Sequence, residues 1–138
     1  MKQHSRLDDL RQLPVFATLP RRSLRLASRM LTPVSFAEGD VLCVEGHIGR
    51  EAFIIVEGEV EVSAGADHIA TVGAGSIVGE MALLGDGRRT ASVTASAPVR
   101  ALVMSPQEFA GIMALPGVAT TIQQLASERG SELVATAA

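Results

Sequence analysis

The pattern of apolar and polar positions divides this chain into three zones. In the first zone, residues 1–32, apolar residues recur every three or four positions, which predicts two amphipathic helices separated at Pro14. These apolar positions are Leu7, Leu10 and Leu13 before the proline, and Leu24, Ala27 and Leu31 after it. Pro20 stands where the second helix would begin, and a missing N–H group costs little at that position.

In the second zone, residues 33–104, short apolar runs alternate with glycines. Phe53–Val56 is a continuous apolar run, whereas residues 59–62 alternate polar and apolar as a half-buried strand does. The Glu57-Gly58 pair between them predicts a turn. Further strands are predicted over residues 69–72, 92–95 and 99–104. Many short strands separated by glycines are typical of a mainly β fold, here a small jelly-roll-like β-roll or double-stranded β-helix.

Helical spacing returns in the third zone, residues 105–134. Ser105, Pro106 and Glu108 have the spacing of a capping box with a proline in the first helical turn. The sequence LPG then breaks this helix before a last one begins. We therefore expect one domain over residues 1–138, with N-terminal helices in 1–32, a β-roll in 33–104 and hinge or lid helices in 105–134.

The composition fits one globular domain, with 138 residues, 47% of them apolar and 20% charged. A net charge of −3 argues against nucleic-acid binding, which needs a basic stripe. A single cysteine excludes an internal disulfide. No signal peptide or membrane-spanning stretch is evident, so we expect a cytoplasmic chain, or part of a larger protein, with no membrane insertion of its own. One local cluster of positive charge stands out, formed by Arg21, Arg22, Arg25 and Arg29. A solvated helix face is favoured for it over an anion-binding surface.

Residues 78–93 combine features that suit a phosphorylated sugar ligand. Gly79 precedes a helix-compatible piece, whose free backbone N–H groups would favour an anion. An arginine that follows a glycine-rich turn can reach the same point with a bidentate guanidinium. Glu80 would be repelled by that anion unless it accepts a hydrogen bond from a hydroxyl or pairs with an arginine. The alternative is a tight β-turn with ordinary surface arginines.

The same residues carry a resemblance to a known family. The stretch GEMALLGDGRRTASV resembles the phosphate-binding cassette of cyclic nucleotide-binding domains, whose pattern is roughly F-G-E-(L/I/M)-A-L-L, a variable turn, then R-x-A-(S/T)-V. Residues 39–62 also fall on the glycine skeleton of this family, and the similarity covers about residues 13–130. Both catabolite-activator-like proteins and the regulatory domains of cyclic-nucleotide-gated channels share the pattern. Two departures are Val78, where an aromatic residue is usual, and Arg88, where many members have proline but channel members do not.

The resemblance implies a role for each cassette residue. Glu80 would bond the ribose 2′-hydroxyl, Arg89 would pair with the exocyclic phosphate oxygens, and Arg88 would point outward. The backbone N–H groups on the phosphate would come from Gly79, Met81 and Ala82, with a hydroxyl and an N–H added by Thr90 and Ala91. A threonine at position 90 is compatible with cGMP, but the composition favours cAMP.

The base contacts are less sharply indicated. Val62 and Val72, with Val60, could form an apolar wall for the base, although ordinary core is favoured for each. Family members close a C-terminal helix over the base, and Leu125 and Arg129 are the candidates for that lid.

Other chemistry finds little support in the residues. Cys43, Glu45 and His47 lie close in sequence, but no second Cys or His at a recognised spacing supports zinc, so no metal and no cofactor are expected. No nucleophile elbow or Walker loop is present, and we expect no enzymatic activity. His47 and His68 give poor support for the related haem-sensing roll.

The sequence therefore predicts a sensor of a cyclic purine nucleotide that reports occupancy by rearranging its C-terminal helices. Its partner would be an unknown protein effector or a fused domain. Because the residues after Ser105 are mostly taken up by the predicted lid helices, we expect no direct DNA binding. The alternatives are a scaffold of the same fold that binds proteins independently of nucleotide, and a regulatory fragment of a larger channel or enzyme.

Overall fold

The computed structural model describes residues 6–79 and 87–128. The sequence predicts two helices in the first zone and two in the third. The structure has these four helices and, between the first two, a 3₁₀ turn that was not predicted. The helical elements are α1 (Arg6–Arg11), a 3₁₀ turn (Pro14–Phe16), α2 (Arg21–Arg29), α3 (Pro106–Met113) and α4 (Val118–Glu128). The strands are β1 (Thr32–Phe36), β2 (Val41–Cys43), β3 (Ala52–Glu57), β4 (Glu59–Ala64), β5 (Asp67–Gly73), β6 (Ile77–Val78), β7 (Ser92–Ala95) and β8 (Val99–Met104).

The strands form two antiparallel four-stranded sheets, ordered β1-β8-β3-β6 and β2-β7-β4-β5. The predicted mainly β roll with flanking helices is confirmed. The first strand begins at Thr32, which pairs with Val103, so the β-zone starts one residue earlier than its predicted boundary at residue 33. The extent of the domain, residues 1–138, stays a prediction.

Strand β3 is apolar from Ala52 to Val56, because both faces of the strand are buried over its first four residues. Phe53 and Ile55 belong to the cluster enclosed by the two sheets, whereas Ala52 and Ile54 belong to the cluster beneath the helices. In β4 only one face is covered, so Val60 and Val62 are buried, whereas Glu59 and Glu61, which alternate with them, are exposed. Strand β3 thus has a continuous apolar run because both of its faces are covered, whereas β4 alternates because only one of its faces is covered.

The helices and the 3₁₀ turn cover the outer face of the first sheet. Phe16, Leu24 and Ile112 pack there with Met104 of β8 in one apolar cluster. Helix α4 contacts the 3₁₀ turn, so the last described helix rests on an element near the start of the chain. The part of the chain that the structure describes contains no helix of the length and apolar character needed to span a membrane.

The start of α3 has the predicted capping box. The Ser105 hydroxyl accepts from the Glu108 N–H at 3.1 Å, and the Glu108 carboxylate accepts from the Ser105 N–H at 2.8 Å. The two bonds satisfy N–H groups that a helix start leaves without intrahelical partners. They fix the point at which the chain leaves β8 and enters the C-terminal helices.

Candidate functional site

The candidate site begins where β6 ends. Val78 pairs with Phe53 of β3 and is fully buried, so the smaller side chain that replaces the usual aromatic residue is packed in the core. Gly79 follows with a φ angle of +85°, in the left-handed region that favours glycine. A Cβ atom on Gly79 would lie 2.7 Å from Arg89 Nη1 and 2.9 Å from the Glu51 carbonyl oxygen. Both the backbone conformation and the space therefore require glycine at this position.

Arg89 is buried, with 6% of its surface exposed. Its Nη1 donates to the Gly79 carbonyl oxygen at 2.9 Å, and its Nη2 donates to the Glu51 carbonyl oxygen at 2.8 Å. Charged side chains are rarely buried to this degree unless hydrogen bonds compensate the loss of water. The two carbonyl contacts hold the guanidinium beside Gly79, at the start of the predicted cassette.

The backbone of Arg89 is fixed as firmly as its side chain. Its N–H donates to the His47 carbonyl oxygen at 2.8 Å, and its carbonyl accepts from the Gly46 N–H at 2.8 Å. Two residues earlier, the Gly87 carbonyl accepts from the Gly49 N–H at 2.6 Å. The segment 46–49 thus pairs with the second half of the candidate cassette and sets where Arg89 lies.

Arg88 has the opposite environment. It is exposed, its guanidinium donates to the Gly46 carbonyl oxygen at 3.1 Å, and its backbone forms an isolated bridge with Ile48. The outward position expected for Arg88 is therefore confirmed. The two adjacent arginines differ in burial and partners, which makes Arg88 a natural control for Arg89.

The other predicted site residues that the structure describes differ in burial. Thr90 is exposed, and Ala91 is fully buried in the cluster between the sheets. Val62 and Val72 belong to the same cluster, and Val62 pairs with Val93 across β4 and β7. Val78, which precedes Gly79, also belongs to this cluster, so Gly79 and Arg89 lie beside it.

Several predicted residues cannot be placed in this way. Glu80, Met81 and Ala82 of the cassette, and Arg129 of the predicted lid, lie outside the described residues. Leu125 lies within α4. Their roles stay predictions.

Sequence reasoning missed the contribution of segment 46–51. Its glycines were interpreted only as strand turns, and Glu51 acts through its backbone carbonyl, which any residue type would supply. The available signal was the pair Gly46 and Gly49, whose N–H groups donate to the carbonyl oxygens of Arg89 and Gly87.

The weak metal hypothesis at Cys43, Glu45 and His47 gains no support. Cys43 is buried, and the Glu45 carboxylate accepts a hydrogen bond from the Gly65 N–H at 2.9 Å. Across residues 6–79 and 87–128 no three His, Cys, Asp or Glu side chains group closely enough to hold a metal ion.

Comparison with known proteins identifies similar chains. A family model described as the cyclic nucleotide-binding domain matches residues 33–115. A cyclic nucleotide-gated potassium channel from Rhizobium etli is 37% identical over 118 residues, which cover 85% of this chain and 33% of the channel.

Two solved structures show the same architecture. A cAMP-binding acyltransferase from Mycobacterium smegmatis matches with a TM-score of 0.80 and 31% identity, over 91% of this chain and 41% of that one. The catabolite activator protein of Thermus thermophilus matches with a TM-score of 0.74 and 25% identity, over 86% of this chain and 59% of that one. The chain thus spans a third of the channel and less than half of the acyltransferase.

Proposed function

The chain belongs to the cyclic nucleotide-binding domain family, and from this premise we propose that it binds a cyclic purine nucleotide, cAMP in preference to cGMP, and acts as a sensor. The ligand would be held by residues 78–93. The similar acyltransferase is named as cAMP-binding, which supports the choice of cAMP. The single observation that carries the proposal is the buried guanidinium of Arg89 beside Gly79.

Arg89 would supply the positive charge for the cyclic phosphate. A guanidinium presents its donors in a planar fork that matches two phosphate oxygens, and hydrogen bonds to a charged group contribute about 1.5–3 kcal/mol each. Because Arg89 is already held by two carbonyl oxygens, at 2.9 and 2.8 Å, little side-chain freedom would be lost on binding. The site would be preorganised at this residue.

The other cassette residues would complete the ligand contacts. Glu80 would accept from the ribose 2′-hydroxyl, and the N–H groups of Gly79, Met81 and Ala82 would donate to the phosphate. Thr90 and Ala91 would add a hydroxyl and a backbone N–H. These roles rest on the family pattern together with the position of Gly79 and Arg89.

The base would lie toward the cluster between the sheets, where Val62 and Val72 are buried. A lid formed by Leu125 and Arg129 would then close over it. Closure would be a population shift, in which the ligand binds the closed arrangement more tightly, with a coupling of about 1–3 kcal/mol. Since α4 rests on the 3₁₀ turn, its movement would also change the surface presented by the N-terminal helices.

We further propose that the chain catalyses no reaction and works in the cytoplasm on a protein effector or a fused domain. The family match identifies a binding module. The alternative of a nucleotide-independent scaffold predicts no ligand binding at all, so a single titration separates the two.

The test is calorimetric titration of nucleotide-stripped protein with cAMP and with cGMP. We expect saturable binding of both, tighter for cAMP, and a loss of at least tenfold in affinity in Arg89→Ala, because tenfold corresponds to about 1.4 kcal/mol. Arg88→Ala is the matched control and should bind like the wild type. Absence of binding by folded wild-type protein, or equal affinity of Arg89→Ala, would overturn the proposal.

A further inference from the structure

Helix α2 carries an unusually concentrated positive charge. Residues 10–37 contain five arginines and no Asp or Glu, which leaves seven basic and fifteen acidic residues for the rest of the chain. The exposed residues of α2 define what we call the basic face: Arg21, Arg22, Arg25, Leu26 and Arg29. At 3.6 residues per turn they occupy one arc of about 140°, opposite the buried side of the helix.

The helix itself does not account for these arginines. Arg21 and Arg22 lie in its first turn, where positive charge is unfavourable because of the helix dipole. The described residues show no ion pair to any of the four side chains. Leu26, within the same arc, is 44% exposed. The basic face is therefore a surface of unbalanced charge with one exposed aliphatic side chain at its edge.

A complementary surface lies on the opposite side of the β-roll. The outer face of the β2-β7-β4-β5 sheet presents Glu59, Glu61 and Thr71, all exposed, together with Ile69, which is 41% exposed. We call this set the acidic face. In the part of the chain that the structure covers, neither glutamate forms an ion pair, and Glu61 is flanked in register by Thr94 and Thr71.

The two faces match in spacing as well as in charge. Successive arginines four residues apart on α2 are separated by about 6 Å along the helix axis. Glu59 and Glu61, two residues apart on one strand, are separated by about 6.7 Å. Two guanidinium–carboxylate pairs can therefore form side by side, while Leu26 meets Ile69.

We propose that the basic face of one copy docks on the acidic face of a second copy of this chain. The two surfaces differ and lie on opposite sides of the roll, so the contact is head-to-tail and extends to a ring or an open chain of copies. Nucleic acid offers no apolar counterpart to the exposed leucine. An anionic bilayer could bury the leucine, but it would repel the remainder of the chain, which has seven basic and fifteen acidic residues, and it has no carboxylates at a fixed spacing to match the arginines.

The experiment is sedimentation velocity of the whole chain, without nucleotide, over a range of protein concentrations at about 0.05 M and about 0.5 M salt, which differ in screening length. We expect concentration-dependent association at low salt that is lost at high salt. Arg25→Glu and Glu61→Lys should each weaken association at least tenfold. An equimolar mixture of the two variants should recover it, because each reversed face then meets a complementary one.

Arg50→Glu, the same charge reversal at an exposed arginine outside the basic face, is the control and should associate like the wild type. The inference is overturned if the wild type stays monomeric at low salt, if either face variant associates normally, if the mixture stays monomeric, or if Arg50→Glu weakens association equally. A monomeric wild type that co-sediments with phosphatidylserine vesicles would likewise overturn it and assign the basic face to an anionic membrane.

Discussion

Arg89 and Gly79 are joined by a 2.9 Å hydrogen bond from the guanidinium Nη1 to the glycine carbonyl oxygen, across ten residues of sequence. Arg89 also bonds the Glu51 carbonyl oxygen, and all three residues meet where a Cβ on Gly79 would clash. The charge proposed to bind phosphate is therefore tied to the residue that opens the cassette. A change at either residue should disturb the other.

Gly79→Ala tests this link from the glycine side. The substitution forces a side chain into φ +85° and into contact with Arg89, so we expect destabilisation of about 1–3 kcal/mol and a loss of nucleotide affinity of at least tenfold. Gly39→Ala has a similar φ of +93° with no atom within 4 Å of its Cβ, and should lower stability without lowering affinity. Urea unfolding and calorimetric titration measure the two effects. Equal loss of affinity in both variants would contradict the link.

Arg89→Ala should also lower stability in the absence of nucleotide. It removes two hydrogen bonds from buried or partly buried carbonyl groups, and each group left unsatisfied costs about 1–3 kcal/mol. Arg88→Ala, at an exposed position, should change the free energy of unfolding by less than about 0.5 kcal/mol. Urea unfolding of both variants measures the difference. Similar values for the two would show that the buried contacts contribute nothing to stability.

Ser105→Ala removes the hydroxyl that accepts from the Glu108 N–H at 3.1 Å. Loss of such a cap costs about 1 kcal/mol, so the midpoint of urea unfolding should fall with an unchanged slope. Ser28→Ala is the control, because its hydroxyl bonds the Arg25 carbonyl within α2 and alanine favours a helix. A midpoint unchanged in Ser105→Ala would show that the cap does not stabilise the native state.

Val62→Ala separates the two interpretations of Val62. If Val62 is only a fully buried core residue, its truncation to alanine should lower the free energy of unfolding by about 2 kcal/mol. If Val62 also contacts the base, the same substitution should in addition weaken nucleotide binding. We expect the stability loss with less than a threefold change in affinity, as measured by urea unfolding and titration. The control Val41→Ala, at a side chain that is 52% exposed, should change neither quantity.

Most of the fold could be predicted from the sequence because the spacing of apolar residues along each element follows directly from which of its faces is buried. The alternation in β4, the apolar run in β3 and the capping box of α3 are each confirmed. The short strands β2 and β6 carry too few residues for a period to be read. Strand β1 begins Thr-Pro and has four exposed residues, so burial leaves only a weak pattern in its sequence.

At the site, the sequence could distinguish Arg89 from Arg88 only through the family pattern. Both residues are arginine, and nothing in the local sequence makes one buried and the other exposed. The difference arises from segment 46–51, which lies about forty residues earlier and reaches Arg89 through backbone groups. Contacts of this kind carry no residue-type signal, which is why the role of Glu51 was missed.

Strand β3 gives the molecule a property that neither sheet nor helices have alone. Its side chains alternate between the two apolar clusters, so the same strand forms part of the boundary of both clusters. Neither cluster can melt while the second survives, and the described residues should unfold in one cooperative transition. A ligand bound only at the roll would therefore raise the melting temperature of the distant helices by the same amount, in proportion to the logarithm of its concentration once the site is saturated.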